Sequence, residues 1–132
     1  MTKVKESSTR NENKKTAIIA CPVSYVMEKI GGHWKPIILF QLMNGSKRYS
    51  ELRRAIPTIT EKMLIQHLKQ LQEDKLVIRD ASAVIPPVVF YKLSNSGKKL
   101  TPVLNAMAAW AFNDIKAIHR NNHKADSPGV SS

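Results

Sequence analysis

The sequence predicts a mainly α fold carrying one small β-hairpin, an α+β arrangement in which helices do most of the packing. Three observations support it. Apolar residues recur at helical spacing in several segments, with Gly or Pro between them. Two short β-branched and aromatic runs, Leu76 to Ala83 and Val88 to Leu93, flank Pro86-Pro87 and read as paired strands. The chain has 132 residues, 42% of them hydrophobic, which suits one core and is too few for two.

Cys21-Pro22 opens the first helix, because Pro suits the first helical position. Val23, Val26, Met27 and Ile30 supply its apolar face, and Gly31-Gly32 ends it. Trp34 to Met43 is the second helix, with Trp34, Ile37, Ile38, Leu39 and Leu42 for the core. Pro36 falls in its first turn, where a missing N–H does no harm, and Asn44-Gly45 closes it. Lys47-Arg48-Tyr49 reads as a minor strand. Ser50 is the expected cap of a short helix, Glu51 to Ile56, stopped by Pro57. Thr60 caps the next, from Glu61 to about Lys75. After the hairpin, Ser96 or Gly97 leads into one long helix reaching about His119. Two short helices joined by the tight turn Pro57-Thr58-Ile59 and followed by a hairpin make a winged helix-turn-helix. The expected domain is 16–123, between a flexible polar tail at 1–15 and a disordered tail at 124–132.

Charge narrows the partner. Lys and Arg number 21 against 10 Asp and Glu, a formal charge of +11. The segment Met1 to Ala20 carries +3 and the remainder +8, so the folded part is itself basic. That excess favours a polyanion, which is DNA, RNA or an acidic membrane surface. No apolar run reaches the length of a membrane span, and the polar N-terminus lacks a signal-peptide core. One cysteine excludes an internal disulfide and any zinc site built on Cys pairs. The expectation is a cytoplasmic protein without membrane association.

The segment Glu61 to Lys75 has two faces. Leu64, Leu68 and Leu71 recur for the core, while Lys62, Ile65, Gln66 and Lys69 recur on another face. Lys meets phosphate or guanine, Gln bonds adenine bidentately, and an outward Ile touches the thymine methyl. Taken alone, the stripe is an ordinary solvated helix face. As the second helix of a turn-helix unit it becomes the candidate for reading double-stranded DNA. Lys47, Arg48, Arg53 and Arg54 form the densest cationic cluster and are candidates for phosphate contacts, together with Thr60, Arg79 and Lys92. The hairpin tip, with Val84, Ile85, Val88 and Val89, is apolar and is expected to pack along the DNA backbone or on its own domain.

These pieces, in order, resemble the HxlR-type transcriptional regulators, winged-helix relatives of the MarR proteins. The resemblance rests on Cys21-Pro22-Val23, Ile30-Gly31-Gly32-His33-Trp34 and Tyr49-Ser50-Glu51-Leu52-Arg53-Arg54. It continues through Ile59 to Leu68, then Pro86-Pro87, Tyr91-Lys92-Leu93-Ser94 and Gly97. It implies a homodimer acting as repressor or activator on an operator of two half-sites. Three positions depart from the pattern. His33 stands where the family usually has Lys, Val88 where Arg often follows the Pro pair, and Phe90 where Glu is frequent. The departures bear on the contacts of the wing rather than on the fold.

The last helix carries Leu100, Val103, Leu104, Met107, Ala111, Ile115 and Ile118 along its length. One side of a small domain cannot cover such a helix, so a second copy of the chain is the expected partner. Trp110 and Phe112 lie off the narrow stripe and need cover too, for which Thr16 to Ala20 of a partner is a candidate. The alternative is a helix lying back on its own core, with only its first turns buried.

Cys21 precedes a helix whose Val23 and Ser24 amides can face its sulfur and favour a thiolate. Lys14, Lys15 and Lys29 add positive charge nearby in sequence. The resemblance adds weight, since several HxlR-type regulators sense oxidants, quinones or aldehydes through a Cys at this place. Two readings stand for Cys21: a sensor of a small thiol-reactive effector, or a small residue that begins the helix.

Other chemistry finds no residues. His33, His67, His119 and His123 make no pair at metal-ligand spacing with a carboxylate, so no metal is expected. No Ser, His and Asp arrangement suggests nucleophilic catalysis, and Gly31-Gly32 lacks the run and the Lys of a phosphate loop. Neither enzyme activity nor a cofactor is expected. The function expected is a sequence-specific DNA-binding regulator. The alternative is a basic RNA-binding or ribosome-associated protein using the winged helix as a scaffold.

Overall fold

Leucine and isoleucine at helical spacing build the core of the computed structural model, which describes residues 21–81 and 85–126. The chain divides into two units, the first ending at Lys98 and the second beginning at Lys99. In the first unit, helix α1 (Pro22–Ile30) is followed by α2 (Trp34–Leu42), β1 (Lys47–Arg48), α3 (Tyr49–Ala55) and α4 (Glu61–Glu73). Strands β2 (Val77–Ala81) and β3 (Val89–Leu93) then lead to the single turn of α5 (Asn95–Lys98). The second unit holds α6 (Thr101–Asp126). The arrangement is the expected one: helices with a small antiparallel sheet, in winged-helix order.

Ile38, Leu39 and Leu42 of α2 are buried, as are Leu52 of α3 and Leu64, Leu68 and Leu71 of α4. Ile56 and Ile59 close the turn between α3 and α4 and are buried too. Trp34 and Ile37 are half-buried, so the inward face of α2 is narrower than its composition suggests. The sheet has the order β1-β3-β2, with Lys47 opposite Tyr91, Arg48 opposite Phe90 and Val77 opposite Leu93. Val77 and Leu93 turn inward, which fixes the register, because a slip by one residue would expose both.

Several boundaries move. Tyr49 starts α3 and leaves β1 only two residues, so Ser50 lies inside the first turn and does not cap it. The cap position belongs to Arg48, whose backbone N–H donates to Glu51 Oε1 at 2.9 Å. Gly32, at φ +89°, takes the left-handed conformation after α1, while Gly31 stays at −71°. Each strand starts one residue later than expected, and Ser82, Ala83 and Val84 lie outside the described residues. Ile85 is 96% exposed and does not pack on its own domain, whereas Val88 and Val89 are half-buried.

The expected single last helix is two. Residues 99–100 form a turn after α5, and α6 restarts at Thr101 with Pro102 in its first turn. Gly97 does not lead into the long helix; it is buried inside α5, where a Cβ would lie 2.2 Å from the Leu76 carbonyl oxygen. Helix α6 runs to Asp126, past the expected end near His119 and into the first residues expected as tail. Its 26 residues span about 39 Å at the α-helical rise. Leu104 is buried; Val103, Met107, Trp110, Phe112, Ile115 and Ile118 are exposed. Leu100 and Ala111 are half-buried.

Helix α1 keeps its expected bounds but not its expected burial. Ile30 is its one buried residue, Val26 is half-buried, and Val23 and Met27 are 65% and 58% exposed.

Candidate nucleic-acid interface

Helix α4 is oriented by its leucines. Leu64, Leu68 and Leu71 face inward, and this leaves Lys62, Ile65, Gln66 and Lys69 exposed together on the outer side. Ile65 is 52% exposed, a β-branched apolar side chain held in water between Lys62 and Lys69. Thr60 fixes the start of the helix: its Oγ1 accepts from the Met63 N–H at 3.2 Å, and its carbonyl accepts from Leu64 at 3.0 Å. The cap uses the hydroxyl as acceptor and leaves its proton free to donate.

The cationic cluster separates into distinct settings. Arg54 is exposed and forms no ion pair among the described residues. Arg53 lies 4.0 Å from Glu61 Oε2, which ties the end of α3 to the first turn of α4 and partly neutralises its charge. The Arg48 guanidinium sits over the Phe90 ring, 5.4 Å from its centroid. Phe90, a departure from the family pattern, therefore has a use in this chain: it gives Arg48, its cross-strand partner, a cation–π contact.

The hairpin does not present its two cations together. The register sets Arg79 opposite Tyr91 and Lys92 opposite Ile78. Cross-strand partners share a face and neighbours alternate, so Arg79 and Lys92 leave opposite faces of the sheet. Lys47, also opposite Tyr91, falls on the Arg79 face. Lys92 instead lines a cavity of about 140 Å³ with Ser46 and Lys98. The structure thus groups Lys62, Ile65, Gln66 and Lys69, and separately Lys47 with Arg79, and sets Lys92 apart.

Cys21 stands at the N-cap of α1 and is half-buried. Its thiol makes no full cap hydrogen bond, but it lies close enough to the helix start to be held below the ordinary thiol pKa. The Ser24 amide contributes most, then the Ser24 hydroxyl and the Val23 amide, while burial opposes them. These include the two amides the sequence suggests. Lys14 and Lys15 lie outside the described residues.

Sequence reasoning missed two features. Lys29 Nζ reaches Asp74 Oδ1 at 3.4 Å, joining α1 to the end of α4. His67, on the inward side of α4, has both ring nitrogens buried without a full hydrogen-bond partner among the described residues. Its pKa is lowered, first by burial and then by the Lys35 charge, with the Gln70 side chain opposing. An acid at the C-terminal end of a helix was the available signal for the first feature. For the second the signal was spacing, since His67 stands three after Leu64 and four before Leu71 and so borders the buried face. Among the described residues there is no cluster of three metal-type ligands, and no helix is long and apolar enough to cross a membrane.

Comparison with known proteins places this geometry. The HxlR-like helix-turn-helix family profile matches residues 29–119. YtcD of Bacillus subtilis (strain 168), named an uncharacterized HTH-type transcriptional regulator, is 42% identical over 97 residues, 74% of this chain and 77% of its own. The reduced form of HypR, described as a redox regulator, superposes with a TM-score of 0.70 at 34% identity, covering 76% of this chain and 99% of that one. Diamide-treated YodB from B. subtilis gives 0.60 at 35% identity, covering 70% and 93%. The profile spans the helix-turn-helix, the sheet and most of α6, so this chain belongs to the HxlR-like helix-turn-helix family.

Proposed function

We propose that the chain is a sequence-specific DNA-binding transcriptional regulator, acting as a homodimer on an operator of two half-sites. One observation carries the reading. The buried leucines of α4 leave Lys62, Ile65, Gln66 and Lys69 exposed on the second helix of a helix-turn-helix, in a chain of charge +11. In this reading those four side chains meet base edges. Lys47, Arg48, Arg53, Arg54, Thr60 and Arg79 meet phosphates, with Lys92 at the margin. The domain is 16–123 and dimerises through Leu100, Val103, Leu104, Met107, Trp110, Ala111, Ile115 and Ile118, several of them exposed in the single chain. Cys21 is the sensor of a small thiol-reactive effector. Its depressed pKa and the naming of HypR as a redox regulator support that role. The RNA-binding alternative draws no support from the relatives, which are named transcriptional regulators.

The test is selection from a random-sequence duplex library, followed by competition with bulk RNA at moderate salt. Enrichment of one duplex with two related half-sites is the expected result. Preference for RNA, with no duplex enriched, would sink the reading.

A further inference from the structure

Asp74 is badly placed by itself. It caps the C-terminal end of α4, with its N–H donating to the Gln70 carbonyl. The carbonyl end of a helix carries partial negative charge, so a carboxylate there is repelled. Nor does the backbone let it move away. Lys75 adopts φ 60°, and the Leu76 N–H returns to the Leu71 carbonyl at 2.9 Å, locking the turn that follows. What faces the carboxylate comes from elsewhere. Lys29, in the last turn of α1, brings Nζ to 3.4 Å of Oδ1, with the two side chains only 28% and 23% exposed.

Lys29 is equally specific in position. Its ammonium lies 5.8 Å from the Tyr25 ring centroid, which restrains the long side chain. Ile30, next in sequence, is the one buried residue of α1. At the end of α1, Ile30 is buried and Lys29 forms an ion pair that lands on the end of α4. The other end of α4 is fixed by Thr60 and by the Arg53–Glu61 pair. Beyond its three buried leucines, α4 thus has an ion pair to another helix at each end.

We propose that Lys29 is a positioning residue for α4, fixing through Asp74 the tilt at which Lys62, Ile65, Gln66 and Lys69 are presented. The proposal rests on the reading that this face contacts bases.

The experiment compares wild type, Lys29→Gln, Asp74→Asn, the double variant and Lys29→Arg. Each is measured on a duplex enriched by the wild-type protein from a random library and on an unselected duplex of equal length. Lys29→Gln removes a cation and Asp74→Asn an anion, so affinity for unselected DNA moves in opposite directions. The ratio of selected to unselected affinity falls in both, by about fivefold. The double variant falls no further, and Lys29→Arg keeps the wild-type ratio. Thermal midpoints within a few degrees of wild type show that the variants are folded. Ratios unchanged in both single variants, or losses that add in the double variant, overturn the proposal. Failure of wild type to enrich any duplex overturns instead the DNA reading beneath it.

Discussion

Ser94 Oγ donates to the Lys75 carbonyl oxygen at 2.6 Å, binding the end of β3 to the turn that closes α4. Ser94 Oγ in turn accepts the Gly97 N–H at 3.0 Å, and the Ser94 N–H donates to the Leu76 carbonyl at 3.0 Å. One small residue thus joins α4, β2, β3 and α5. Ser94→Ala should lose about 1–2 kcal/mol, read as a lower urea midpoint. Lys75 holds φ 60° without being glycine. Lys75→Gly should therefore gain up to about 1 kcal/mol in the same measurement. A loss of stability in Lys75→Gly would contradict this account of the turn.

The outer face of α4 predicts two kinds of loss. Gln66→Ala should weaken binding to a selected duplex by about 1–3 kcal/mol and relax preference at one base pair. Arg54→Ala should weaken selected and random DNA alike and reduce the salt slope by about one unit. Arg53→Ala should do less than Arg54→Ala, because Glu61 already competes for its charge. Competition titrations across a salt series separate the three, and an unchanged base preference in Gln66→Ala would move the reading face elsewhere.

The Cys21 thiol should react with iodoacetamide along a pH curve displaced to the acid side of an ordinary cysteine. Ser24→Ala should move the curve back toward ordinary values, since Ser24 supplies both its amide and its hydroxyl. The sign for stability follows. The thiolate is favoured in the folded state, so its contribution is complete above the ordinary thiol range. It is lost as pH falls through the depressed value. Superimposable curves for wild type and Ser24→Ala would remove the hydroxyl from this account.

His67 makes the folded state sensitive to acid. Its pKa is depressed by burial and by Lys35, so the neutral ring is the form the fold accepts. Stability from this group is present above the ordinary histidine range, at about 6.5, and is lost as pH falls through the depressed value. Thermal midpoints of wild type should drop over that interval, and those of His67→Leu should drop less. Parallel pH profiles would show that the acid sensitivity lies in another group.

Dimerisation makes a prediction on α6. Trp110 is 69% exposed and Met107 50%, on a helix of 26 residues. Sedimentation at micromolar concentration should give a dimer for wild type and a monomer for Trp110→Glu. A wild-type monomer would leave this face without the partner proposed for it.

What the sequence made legible was periodic. The leucines of α4 and the Thr60 cap define that helix because burial and capping are local rules, and both hold in the structure. The break at residues 99–100 carried a local signal that the expectation of one long helix passed over: Pro102 has no N–H to give the residue 98 carbonyl, so a helix restarts around it. The burial of Gly97 was illegible for a non-local reason, since it packs on the carbonyl of Leu76, twenty-one positions earlier. Exposure of Val23 and Met27 was hidden likewise, since an apolar stripe states what needs cover and not what supplies it. Arg79 and Lys92 were both named as phosphate candidates, and only the register shows that they lie on opposite faces of the sheet.

Gly97 also governs how the chain tolerates variation. A Cβ at this position would meet a backbone oxygen, which cannot rotate away as a side chain would. Even alanine must push α5 off the start of β2, so the smallest change available is already a large one. In a scan of all substitutions, position 97 should be as intolerant as Leu64 or Leu68, although it contributes no side chain. Its losses should appear as lowered protein yield before any altered choice of ligand. A residue that carries no chemistry would then rank among the most constrained, and that rank would measure an interatomic distance.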